Sequence, residues 1–264
     1  MADQLQPGNS AGCDKAALPA KFIVVCALAF VAGVAATIYF CRSMGGKMDM
    51  PGGWTMSMMW MRMQGQSWFA SAVSFLLMWL AMMVAMMLPS ALPTFLKTKR
   101  APASLSVMAA GYFAVWLAVG AGIYVLGVLF AAVAMRWDSF SRVVPMLFGA
   151  AMIGAGTFQF TRWKSAGLLR CRSPFGCIAS CPECETSFGL GCKQGAACCL
   201  CCTGPMIILI VLGMMNPFVM IGVAIVIAAE KILPRPEIAT RLVGISAILV
   251  GVASLCVVFL RIRG

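Results

Sequence analysis

Apolar residues along this chain gather into seven long runs, divided by short polar or glycine-rich breaks. The runs cover residues 22–40, 68 to about 95, about 105 to 135, 143–160, about 199 to 214, 217–229 and 242–260. About 20 apolar residues suffice for a helix to cross the hydrocarbon core of a bilayer. Within that core a helix satisfies its own backbone polar groups. The pattern therefore predicts an all-α, polytopic transmembrane bundle of about seven spans. Asn216-Pro217 leaves a six-span alternative open. Proline withdraws an amide donor and disfavours helix in the residue before it, so the fifth and sixth runs form either two spans or one broken helix.

The polar stretches complete the plan. Residues 1–21 form a polar tail of mixed charge without the layout of a cleaved signal peptide, so the first run reads as a retained helix. Residues 22–264 are expected to form a single transmembrane helical domain with two long loops, 41–67 and 161–198. Composition agrees: 62% of the 264 residues are hydrophobic and 11% charged, which excludes an ordinary soluble domain. The net charge of +12 suggests no nucleic-acid partner, because no segment offers a basic soluble face. Lys and Arg instead concentrate in cytoplasmic loops of membrane proteins. With the N-terminus cytoplasmic, thirteen of the 20 basic residues fall inside and seven outside. That orientation sends loop 41–67 outward and loop 161–198 inward.

Sulfur marks both loops. Eight methionines lie between residues 44 and 63: Met44, Met48, Met50, Met56, Met58, Met59, Met61 and Met63. Nine cysteines lie between residues 171 and 202: Cys171, Cys177, Cys181, Cys184, Cys192, Cys198, Cys199, Cys201 and Cys202. The chain contains no histidine. An all-sulfur ligand set suits soft metals, above all Cu(I), with zinc and iron–sulfur clusters as further thiolate options. Thiols stay reduced in the cytoplasm and pair outside it, whereas thioethers cannot form disulfides. The charge count and the sulfur chemistry thus point the same way.

The Met-x-Met spacing recurs at 48/50, 56/58, 59/61 and 61/63, among glycines that let a loop fold round an ion. The bland reading is an interfacial loop whose Met and Trp rest at the headgroup boundary. On the second run Met78, Met82 and Met86 are spaced four apart, as are Met83 and Met87, so they share one side of a helix. Met82, Met83, Met86 and Met87 serve either as packing filler or as a relay into the membrane. Cys181 and Cys184 make a C-x-x-C pair able to grip one ion. Cys198, Cys201 and Cys202 share a helical face where the fifth run is expected to open, a place that favours thiolates. Lys164, Arg170, Arg172 and Lys193 stand near enough in sequence to offset thiolate charge. Cys177-x3-Cys181-x2-Cys184 also resembles the iron–sulfur triplet of radical-SAM enzymes, without that family's α/β barrel. Glu230-Lys231 is an ionisable pair at membrane depth, either functional or snorkelling with Glu230 paired to Lys231 or Arg235. Gln159 and Asn216 are expected to hydrogen-bond between helices.

Several stretches together resemble a bacterial family of predicted metal-binding integral membrane proteins, a domain of unknown function. They are Met-Trp-Leu-x-Met-Met-x-Ala-Met-Met-Leu-Pro at 78–89, Gln159-x-Thr161-x-x-Lys164, Cys171-Arg172-Ser173-Pro174, Cys198-x-x-Cys201-Cys202 with Met206, Gly213-x-Met215-Asn216, and Glu230-Lys231. Phe158, Arg162, Gly167 and Thr203 depart from the family pattern, and Cys177, Cys181, Cys184, Cys192 and Cys199 look like additions to it. The resemblance implies metal binding in a bacterial cytoplasmic membrane. Copper is the one metal that accounts for both loops. The expected function is Cu(I) capture and transfer across or into the membrane, with membrane lipid around it and a copper acceptor protein or membrane cuproenzyme as partner. The alternative is a redox or structural accessory subunit of a membrane complex, holding an iron–sulfur or zinc centre in the cysteine loop. No residue is assigned a catalytic role.

Overall fold

The computed structural model describes residues 20–43, 45–62, 65–96, 102–172 and 186–263. Met44, Met63, Cys177, Cys181 and Cys184 lie outside the described residues. The described residues form eight helices: α1 (Ala20–Ser43), α2 (Trp68–Leu96), α3 (Pro102–Arg136), α4 (Asp138–Phe158), α5 (Arg162–Arg172), α6 (Ser187–Leu212), α7 (Pro217–Ile232) and α8 (Pro236–Arg263). Six of them, α1, α2, α3, α4, α6 and α8, are long and apolar enough to cross a membrane. α7, with 16 residues, spans about 24 Å at 1.5 Å per residue, somewhat short of the hydrocarbon thickness. The all-α bundle of six to seven spans is therefore the observed fold. Exposed Leu, Ile, Val and Phe side chains line the outer faces of α1, α3, α7 and α8, the surface a lipid environment covers.

Close helix contacts rest on glycine. Gly149 and Gly156 of α4 meet Gly251 and Gly244 of α8 in an antiparallel crossing, each pair seven residues apart on its own helix. An added Cβ on Gly156 would stand 2.7 Å from the Gly244 carbonyl oxygen. Gly191 and Gly195 of α6 likewise let α3 approach, against Met108 and Tyr112. Small residues are the usual means of close packing between membrane helices, where no hydrophobic drive operates between them.

Three expectations about local structure are corrected. The methionine segment is a β-hairpin, with β1 (Lys47–Met50) antiparallel to β2 (Trp54–Ser57), followed by a 3-10 turn at Met58–Trp60. Strand alternation places Met48, Met50, Trp54 and Met56 on one face, packed with Phe130, Ala131, Ala134, Val144 and Phe148. The Trp54 indole donates to the Ser141 carbonyl at 3.0 Å, and the Ser141 hydroxyl donates to the Pro51 carbonyl at 2.8 Å. Secondly, the cysteine loop is largely helical in its described part: α5 occupies its start, and α6 begins at Ser187. Cys198 therefore lies in the middle of α6. The helix N-terminus cannot favour its thiolate, because that influence fades within the first turn. Finally, Asn216 caps α7 by accepting from the Phe218 amide at 3.0 Å, in place of a bond between helices. Gly213, at φ 106°, closes α6, so α6 and α7 are separate helices.

Candidate metal centre

Cys171, Cys198 and Cys201 are buried, and their sulfurs all lie within 4.8 Å of one another. Two come from α6, where a three-residue separation sets them on one face. The third comes from α5, which docks against α6 through Gly167; its Cβ position lies 3.2 Å from the Cys201 amide nitrogen. Cys202 adds a fourth buried sulfur, 3.5 Å from Cys201 Sγ and 3.7 Å from Cys198 Sγ. Three convergent sulfurs and no nitrogen or carboxylate donor among them make a soft-metal ligand set. A hydrogen bond to Cys198, with burial adding to it, pushes the Cys171 thiol up to about 11. An ion bound there would have to displace its proton.

The groups around the trio come from four helices. Tyr112 of α3 donates its hydroxyl to Cys198 Sγ at 2.9 Å, and Lys231 of α7 donates to the same sulfur at 3.0 Å. Gln194 donates to the Cys171 carbonyl at 3.0 Å. Lys164 reaches from α5 to the Cys201 carbonyl and forms an ion pair with Glu230 at 2.6 Å. Gln159 donates to the same carboxylate at 3.2 Å, and Arg172 donates to the Glu230 carbonyl at 3.2 Å. Glu230 is thus buried and paired with Lys164, which corrects both the snorkelling reading and its pairing with Lys231 or Arg235. The cation at the cysteine sulfur is Lys231. Lys164, which was expected to offset thiolate charge, is committed to Glu230. Gln159 does bond between helices, as expected.

The remaining candidates are dispersed. Cys192 donates to the Gly111 carbonyl at 3.6 Å, away from the trio, and Cys199 is half-buried on another side of α6. Met78, Met82, Met83, Met86 and Met87 are all buried along α2, in one apolar core with Met59, Cys26, Cys171, Cys198, Cys201 and Cys202. In and beside the hairpin, Met50, Met56 and Met59 are buried, Met48 and Met61 half-buried, and Met58 is 41% exposed. Tyr112, and Ser90, whose hydroxyl oxygen lies 3.1 Å from Lys231 Nζ, carry no sequence signal. Lys231 stands out in the sequence only for its depth, and its partner is the Cys198 sulfur and not the adjacent Glu230.

Apolar helices of spanning length around a buried cluster of cysteine sulfurs define a membrane-type protein with a group of side chains that could hold a metal ion. A copper chaperone family model, PpoB2, matches residues 76–254, and the chain belongs to that family. The matched stretch contains the α2 methionines, the cysteine trio, Tyr112 and Lys231, while the hairpin precedes it. No curated protein and no solved structure matches the chain.

Proposed function

We propose that this protein handles Cu(I) at the membrane. Methionines of the outward hairpin capture the ion, the α2 methionine face carries it inward, and Cys171, Cys198 and Cys201 receive it as thiolates. An acceptor protein or membrane cuproenzyme then takes it by ligand exchange, because thiolates hold Cu(I) too tightly for spontaneous release to suffice. The observation that carries this reading is the buried trio of convergent cysteine sulfurs in a chain of the copper chaperone family. Copper is preferred to zinc on the family match, because Cys202 supplies a fourth sulfur and a four-cysteine set also fits zinc. The protein sits in a bacterial cytoplasmic membrane with its N-terminus inside, the orientation favoured by the charge distribution.

Metal analysis of anaerobically purified protein tests this reading. Copper should co-purify with the wild type and be lost from a Cys171→Ser/Cys198→Ser/Cys201→Ser variant. Iron with acid-labile sulfide, or zinc in place of copper, would sink it.

A further inference from the structure

The Lys231 ammonium sits in unusual company. Its Nζ lies 3.0 Å from Cys198 Sγ on α6, 3.1 Å from Ser90 Oγ on α2 and 4.0 Å from Met87 Sδ on α2. A lysine ammonium is a compact, strongly hydrated charge, and two of these three neighbours are sulfur. The nearest carboxylate in sequence, Glu230, is already held by Lys164 and Gln159. The Ser90 hydroxyl donates to the Met87 carbonyl at 3.0 Å, which leaves its oxygen lone pairs for the ammonium. Cys198 Sγ accepts from Tyr112 as well. A thioether, a hydroxyl oxygen and a sulfur that accepts hydrogen bonds therefore meet around one positive charge. Met87 is the last methionine of the α2 stripe, and Cys198 belongs to the trio. The ammonium stands where thioethers give way to thiols.

We infer that Met87 and Cys198 form a transfer station for Cu(I), and that Lys231 is a tethered cation holding that station until Cu(I) displaces it. The inference rests on the copper reading above. Cu(I) and the ammonium each carry one positive charge, so their exchange leaves the charge of this apolar region unchanged. A divalent ion would leave an extra charge buried, which is expensive without a partner. Thioether and thiolate together also favour the softer ion. In the exchange Cys198 Sγ takes part as the thiolate that accepts from Tyr112 and Lys231, so no proton is released. Bonds form from copper to Met87 Sδ and Cys198 Sγ, and the ammonium loses its contacts to Cys198 and Ser90. No electron moves. The displaced ammonium has somewhere to go: Lys231 is half-buried in the last turn of α7, which ends at Ile232. Its four-carbon stem can carry the charge past the helix end toward water, as snorkelling lysines do. Lys231 acts through the two sulfur ligands and is a positioning residue.

The test uses the full chain, labelled with selenomethionine, reduced, in lipid nanodiscs and loaded anaerobically with one equivalent of Cu(I). Selenium-edge X-ray absorption reads any Cu–Se shell, and comparison with Met87→Leu isolates the Met87 contribution. In the wild type and in Lys231→Arg, copper moves on to the cysteines and no Met87-dependent shell is expected. In Lys231→Gln and Lys231→Leu the station stays open to copper, and a Met87-dependent Cu–Se shell should appear. A general loss of structure at position 231 would not create a Cu–Se bond. A wild type whose Met87-dependent shell equals that of Lys231→Leu would overturn the inference, because the ammonium would then not be clearing copper from the station. So would variants at 231 that bind one Cu(I) without that shell. The wild-type arm needs no substitution at 231, so poor folding of a variant does not remove the test. Wild type that takes up no Cu(I) at all overturns the copper reading itself, and this inference with it.

Discussion

Glu230 and Lys231 are adjacent in sequence and face different partners. Successive residues on a helix do not share a face, so Glu230 points at Lys164 of α5 while Lys231 points at Cys198 of α6. Together the Lys164–Glu230 pair, its Gln159 donor and the Lys164 bond to the Cys201 carbonyl tie α4, α5, α6 and α7 at the level of the trio. Removing one member should cost more than removing both, because a lone buried charge is left behind. Glu230→Gln should lower stability by about 3–5 kcal/mol, while a Lys164→Met/Glu230→Met double variant recovers most of that loss. Thermal unfolding in detergent measures both. A double variant as unstable as the sum of its single variants would show that the pair is not coupled. At this scale the sequence is legible only where ligands are local. Cys198, Cys201 and Cys202 declare a shared face by spacing alone. Cys171 joins them across 27 positions and Tyr112 across 86, through helix packing that no local pattern encodes.

α6 shows why the helix boundaries were legible in part. Its apolar second half, from about residue 199, stands out in the sequence. Its first half is rich in Gly, Ala, Cys and polar residues and looks like a loop. Packing decides otherwise, because Gly191 and Gly195 let α3 close on that half of the helix. The same glycines give the element its weak point. A Cβ on Gly191 would press into the Met108 carbonyl of α3, a backbone group that cannot turn aside. Gly191→Leu should therefore force α3 and α6 apart and cost about 1–3 kcal/mol or more through overpacking. Because Cys198 and Tyr112 sit on these two helices, the Tyr112 bond to Cys198 should be lost along with stability. Gly222 has open space around its Cβ position, so Gly222→Leu should leave the unfolding temperature nearly unchanged. Equal melting temperatures for the two variants would refute glycine-limited packing at α3–α6. The hairpin is hidden for a related reason: Met-x-Met alternation fits ligand spacing, but the same period of two builds a strand with one buried face.

At the scale of the whole molecule, sulfur lies at both ends of the bundle. The hairpin rests on Ala131 near the C-terminal end of α3, and the trio meets Tyr112 nineteen positions earlier on the same helix. At 1.5 Å per residue that is roughly 28 Å, close to the thickness of a hydrocarbon core. Buried methionines of α2 run between the two ends within one core. Such a layout serves import only if the hairpin faces out, and the basic residues favour that orientation. Cysteine labelling decides it. In a background where Cys41 and the exposed Cys256 are replaced by serine, Lys47→Cys should react with a membrane-impermeant maleimide on intact cells. Arg170→Cys, exposed on α5 at the other end, should react only after permeabilisation. The reverse pattern would put the methionines in the cytoplasm and the trio near the outer face. Thiols there would meet an oxidising compartment, so the proposed receiving site would close as a disulfide and the direction of transfer would have to be inverted.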